Sequence, residues 1–318
     1  MARIDDFLNE WADGKDYIVA HTSGSTGTPK EIRLLKSDMR TSAHATNEFF
    51  GIGSASVIGM ALSTDYIAGK MMAVRALESG ARLLPLPVGS KIELDGVSEA
   101  IDLLAIVPSQ MHNFIDKPHY ASKVRNVLIG GAAPSAEQCR ALAALGYKVF
   151  ISYGMTETCS HVALARGDNA ERTFHAMPGI SFDVTDDDRL IIDCPRFSFR
   201  RLTTNDVVEL LSPTSFRWRG RSDGAINSGG IKFFPEELEA LYSPLLPGLK
   251  FYVSSLPDEK WGQAVTLVME GRQHDTVQIA EALKAAIADH RRLPKHIITV
   301  ESIPTTANGK IRRVPPTL

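Results

Sequence analysis

The chain has 318 residues, 44% hydrophobic and 23% charged, a globular rather than a disordered balance. Its 35 Lys and Arg against 37 Asp and Glu leave a net charge of −2, which argues against a surface built for nucleic acid or for an anionic membrane. No apolar run approaches the ~20 residues of a membrane span, and the start, Met1-Ala-Arg-Ile-Asp-Asp6, lacks the apolar core of a signal peptide. Three cysteines without metal-ligand spacing, Cys139, Cys159 and Cys194, fit a reduced cytoplasm.

The first predicted element is a short strand, Asp16–His21, that runs into Thr22-Ser-Gly-Ser-Thr-Gly-Thr-Pro-Lys30. Gly24 and Gly27 let backbone N–H groups converge, and Thr22, Ser23, Ser25, Thr26 and Lys30 add side-chain donors, so this loop can wrap an anion. It is not a Walker A loop, because its glycines are three apart and Lys30 follows a Pro. From residue 57 to 152, apolar strands (57–62, 81–86, 103–107, 126–129, 148–152) alternate with helical patterns near 66–79, 108–117 and 134–145. Such alternation predicts an α/β unit with a mostly parallel sheet whose C-terminal strand ends carry the site. After residue 180 the pattern changes to hairpins, 181–185 with 189–193 and 206–211 with 215–219, read as an antiparallel, barrel-like subdomain. The final stretch mixes strands with helices near 235–242 and 276–291, as a small α+β domain would.

Three further runs complete the pattern: Tyr153-Gly-Met-Thr-Glu157 after an apolar strand, Gly224-Ala-Ile-Asn-Ser-Gly-Gly-Ile-Lys232 after Arg221 and Asp223, and Pro304-Thr-Thr-Ala-Asn-Gly-Lys310. In this order and at these separations the four motifs resemble the adenylate-forming superfamily of acyl- and aryl-CoA ligases, over nearly the whole chain. The resemblance implies a large N-terminal domain over 1–221 and a small mobile cap over 222–318. It implies ATP, Mg2+ and coenzyme A as the cofactor and co-substrate set.

Residue by residue, the resemblance makes Thr22, Ser23, Gly24, Ser25, Thr26, Gly27 and Lys30 the phosphate loop, with Glu31 where a Gly commonly follows the Lys. Gly130, Gly131, Ala132, Ser152, Tyr153 and Gly154 would border the adenine. Thr156 and Glu157 would stand beside the α-phosphate, with Glu157 on the metal. Asp206 would hold the ribose hydroxyls, Arg221 would contact the nucleotide, and Asp223 would be the interdomain hinge. Lys310 would bridge carboxylate and phosphate while the acyl adenylate forms, a role that suits a compact ammonium. The cap would then turn, removing Lys310 and bringing Gly229 and Gly230 toward the CoA thiol.

Leu62–Lys70 matches a stretch that usually carries a His where Tyr66 stands. With the helix that follows, it should line the acyl pocket. Ile106–Met111, which holds Ser109, and Thr156–His161, which holds Ser160, resemble the corresponding segments of o-succinylbenzoate–CoA ligases of menaquinone biosynthesis. That acid has a second carboxylate, which Arg75 or Lys70 could neutralise. On a regular helix the two stand roughly 140° apart, so one of them is expected to face inward. The reading therefore names Tyr66, Lys70, Arg75, Ser109 and Ser160 as substrate residues. Three alternatives stay open: another aryl or short acyl acid, transfer to a carrier protein instead of CoA, and a nucleotide-sensing module without turnover. The implied partners are a small carboxylic acid and CoA, with homodimerisation open. Members carry a long segment before the phosphate loop and this chain has 21 residues there, so part of the usual N-terminal layers is expected to be absent or rebuilt.

Overall fold

A computed structural model of the chain describes residues 4–21, 31–169, 171–271, 274–305 and 311–316. In chain order the strands are β1 (Tyr17–His21), β2 (Glu31–Leu35), β3 (Val57–Met60), β4 (Arg82–Pro85), β5 (Ile101–Ile106), β6 (Val124–Ile129), β7 (Lys148–Gly154), β8 (His161–Arg166), β9 (Thr173–Ala176), β10 (Ser181–Val184), β11 (Arg189–Cys194), β12 (Arg200–Ser212), β13 (Ser215–Arg221), β14 (Ile226–Ser228), β15 (Ile231–Phe233), β16 (Phe251–Asp258), β17 (Gly262–Glu270) and β18 (His296–Val300). The α-helices are α1 (Ile4–Ala12), α2 (Lys36–Phe50), α3 (Ile67–Ser79), α4 (His112–Ile115), α5 (Ala136–Ala144), α6 (Pro235–Tyr242) and α7 (Thr276–Ala286).

The fold is mixed α/β. An 11-stranded sheet runs in the order β10-β11-β12-β13-β9-β8-β7-β6-β5-β3-β4. Its β4-β3-β5-β6-β7 half is parallel. Strands β5 and β6 at its centre are buried on both faces, which is why they read as apolar runs rather than alternating ones. The pairing turns antiparallel at β7–β8 and stays so through β9 and β13. The hairpin strands predicted as a barrel-like subdomain thus continue this sheet. β1 and β2 form a separate antiparallel ribbon in which His21 pairs with Glu31, the two residues that flank 22–30.

By internal contacts the chain divides into two units. The first takes residues 1–183, 191–203 and 210–217; the second takes 184–190, 204–209 and 218–318. The second unit holds a five-stranded sheet in which β16 and β17 form a long hairpin and β18 returns parallel to β17 after α7. Leu238 and Tyr242 of α6 and Leu283 of α7 are buried in one apolar cluster with Val253, Val265 and Leu267.

Candidate active site

In the first unit the parallel strands β6 and β7 deliver two of the predicted segments to the same end of the sheet. Gly130 and Gly131 follow β6, and Ser152, Tyr153 and Gly154 close β7. Ser152 Oγ donates to Ile129 O at 2.9 Å, and a Cβ on Gly130 would stand 2.8 Å from that hydroxyl. Gly131 has φ of 84°, a conformation open mainly to glycine. Tyr153 packs edge-on against Phe216, with centroids 5.0 Å apart. At Gly154 the β7–β8 register shifts, and a Cβ there would lie 2.1 Å from Ser160 O. Only glycine lets the chain double back so closely, and the bulge turns the following residues out of the ladder.

Those residues are Thr156-Glu-Thr158, a 3-10 turn. Thr158 is fully buried and ties the turn down, accepting from Met155 N at 3.0 Å and donating to Ser160 O at 2.6 Å. Glu157 is exposed and its carboxylate takes no hydrogen bond or ion pair among the described residues. No cluster of three or more His, Cys, Asp or Glu forms there among the described residues either. An exposed single carboxylate fits Mg2+ held by one protein ligand together with phosphate oxygens, as this reluctantly dehydrated ion prefers. Cys159 is buried, and burial, followed by the nearby Asp38, pushes its thiol up and away from a reactive thiolate.

The third element is α3. Gly69 fits against the Leu62–Ser63 turn so tightly that a Cβ would stand 2.1 Å from Ser63 O. This contact fixes the two cations that follow. Both are buried, contrary to the expectation that one would face away, but in different company. Lys70 Nζ meets Glu10 of α1 at 3.1 Å and lies 4.8 Å from the Phe7 ring. Arg75 is 1% exposed and has no carboxylate partner among the described residues. Its Nη2 donates to Ser160 Oγ at 2.7 Å and stands 3.5 Å from His161 Nδ1, its Nη1 faces Met72 Sδ at 3.3 Å, and its Nε has no partner. Burial lowers the guanidinium from its ordinary value to about 9. His161 is buried as well, and its pKa falls well below 6.5, first through desolvation and then through Arg75.

The structure therefore brings Arg75 and Ser160 together and places Lys70 with Glu10. Tyr66 is an exposed residue at the head of α3, and Ser109 is exposed on the turn after β5; neither bonds to Arg75 or Ser160. Thr22, Ser23, Gly24, Ser25, Thr26, Gly27, Lys30 and Lys310 lie outside the described residues, although Thr305 and Ile311 form a bridge that flanks Lys310.

In the second unit, Asp206 is buried on β12 and accepts from Trp218 Nε1 at 3.1 Å, with Arg221 Nη1 at 3.8 Å. Arg221 also grips Asp223 at 2.9 and 2.6 Å, which lowers the Asp223 pKa. Gly229 and Gly230 have φ of 58° and 79° and join β14 to β15, so they form the two-residue tip of a tight hairpin. Trp261 backs that tip, and a Cβ on Gly229 would stand 2.6 Å from its ring. Sequence reasoning missed Glu10, Trp218 and Trp261, whose contacts to Lys70, Asp206 and Gly229 no local motif marks.

The family profile described as AMP-binding enzyme matches residues 5–192. An acyl-CoA synthetase (AMP-forming)/AMP-acid ligase II-like protein from Dyadobacter fermentans is 31% identical, with a TM-score of 0.62, covering 96% of this chain and 90% of that one. Indoleacetate–CoA ligase of Aromatoleum aromaticum is 25% identical over 93% of this chain and 66% of its own length. 2-Succinylbenzoate–CoA ligase of Enterococcus faecalis is 24% identical over 93% and 68%. The fold also matches o-succinylbenzoate CoA synthetase of Bacillus subtilis in complex with its acyl-adenylate intermediate, at a TM-score of 0.80 and 19% identity over 93% of this chain and 67% of that one. The chain spans about two thirds of the length of these curated relatives.

Proposed function

Because this chain belongs to the AMP-binding enzyme family, we propose that it is an ATP-dependent acid–CoA ligase whose preferred acid is o-succinylbenzoate. A carboxylate oxygen attacks the α-phosphorus of ATP and expels pyrophosphate; the CoA thiol then displaces AMP from the acyl adenylate. The first step joins two anions, so the protein supplies position and positive charge rather than a general base. Glu157 would hold Mg2+, which would supply charge neutralisation of the phosphates. On this reading Lys30 and its loop hold the leaving phosphates, Asp206 and Arg221 take the nucleotide, Lys310 serves adenylation, and Gly229–Gly230 serve the thiol step, with the domain boundary and hinge at 221–223.

The observation that supports a diacid is the state of Arg75. A buried cation without a counterion is costly, and that cost is relieved when a ligand brings the missing negative charge. Lys70 offers no such demand, since Glu10 already answers it. The name of the Enterococcus faecalis relative adds support for this acid, and that of the Aromatoleum aromaticum relative keeps a monocarboxylic aryl acid as the competing reading.

Mass spectrometry of a reaction with ATP, Mg2+, CoA and o-succinylbenzoate tests the proposal, scoring AMP and thioester separately. Thioester with AMP is expected. Acyl-AMP without thioester would point to a carrier protein as acceptor, and turnover of indoleacetate or benzoate in preference would remove the diacid reading.

A further inference from the structure

The guanidinium of Arg75 is held by groups that carry no charge, and the arrangement of those groups is specific. Ser160 Oγ accepts from Arg75 Nη2 and stands 3.3 Å from His161 Nδ1. Arg75 can only donate, so the ring nitrogen that faces it at 3.5 Å must present a lone pair. On the other side of the ring, Nε2 stands 3.2 Å from Thr46 Oγ1. The Thr46 hydroxyl gives its own proton to Ser42 O at 3.0 Å, one turn back along α2, and so must accept from the imidazole. The Nε2 contact to a hydroxyl that already donates and the Nδ1 contact to a donor-only guanidinium select the same tautomer, with hydrogen on Nε2 and none on Nδ1. Asn47, the neighbour of Thr46, donates to Arg75 O at 2.9 Å and ties α2 to the same turn of α3.

We propose that His161, locked as its Nε2–H tautomer by Thr46, is the positioning residue that orients Arg75 without neutralising it and so reserves its charge for the second anionic group of the acid. A carboxylate at this position would hold the guanidinium equally well in geometry, and would cancel the charge that selects the substrate. A neutral acceptor gives orientation alone. The inference rests on the reading of Arg75 as the group that meets the second carboxylate.

Two measurements separate the inference from that reading. Nitrogen-15 NMR of the histidines, with His161 assigned by its absence in His161→Asn, should show a neutral Nε2–H ring throughout about pH 6 to 8. A ring protonated on Nδ1 in that range would overturn the proposal whatever the enzyme turns over. In kinetics, the KM for a dicarboxylic aryl acid is compared with that for its monocarboxylic analogue. His161→Glu should raise this ratio at least about tenfold while the ATP KM stays constant, and His161→Asn, which can offer Oδ1 in place of Nδ1, should stay near the wild-type ratio. An unchanged ratio in His161→Glu would overturn the proposal provided that Arg75→Met does change it. If Arg75→Met also leaves the ratio unchanged, the reading of Arg75 fails, and the proposed role of His161 fails with it, while the ring tautomer still stands or falls by NMR.

Discussion

Arg75 is more than a buried cation, because its burial sets two opposed pH effects. Its pKa is lowered to about 9 in the folded chain, below the ordinary value it keeps in the unfolded one. Between these values the unfolded chain holds the proton that the folded chain has lost, so stability from this group rises with pH across that window and is absent at neutral pH. Replacement by an apolar residue of similar length should therefore stabilise the protein at pH 7, by on the order of 1 kcal/mol, while removing the proposed preference for a diacid. Thermal denaturation of Arg75→Met checks the sign; a lower melting temperature would mean that the guanidinium is structural. In the wild type, the KM for the diacid should climb as pH rises through about 9, when the charge is lost. A flat profile there would argue that another group reads the acid.

In helix α3 a glycine fixes the placement of Lys70 and Arg75. The helix has no side-chain N-cap, and its first turns are held by packing of Gly69 against Ser63 and by the Lys70–Glu10 pair. Glu10 also accepts from Val19 N at 3.4 Å, so one carboxylate of α1 touches both α3 and the ribbon that carries segment 22–30. In Gly69→Ala the new methyl would meet backbone oxygen, which cannot yield by changing rotamer. The helix must shift, at a cost of about 1–3 kcal/mol. The KM for the acid should rise several-fold with the ATP KM constant; equal changes in both would show that the damage spreads beyond α3.

At the scale of the whole molecule, the proposed reaction has two half-reactions, and the chain offers a separate handle on each. Lys310→Ala should abolish acyl-AMP formation and leave thioester formation from supplied acyl-AMP intact. Gly229→Ala forces a Cβ onto the Trp261 ring at a φ of 58°, and should show the opposite pattern. Measuring both half-reactions in both variants tests the assignment, and loss of both activities in either variant would contradict the division of labour.

Legibility followed the range of the interactions. Strands β3 and β5 to β7, helix α3 and the two late helices were written locally, as apolar runs and helical spacing, and the glycines at 130, 154, 229 and 230 stood out in short motifs. Periodicity also placed Lys70 and Arg75 on one helix, but it could not say which was answered, because Glu10 lies 60 residues away and Ser160 lies 85 residues away on another strand. Nor could it show that the late hairpins extend the parallel sheet, since strand order is set by which edges meet in space. By itself the sequence determined the family, because the motifs that mark it depend on residue types at short spacing. Only the tertiary structure decided that Arg75 is buried without a counterion among the described residues and that Lys70 is paired with Glu10, because burial and charge compensation belong to neighbours brought together by folding.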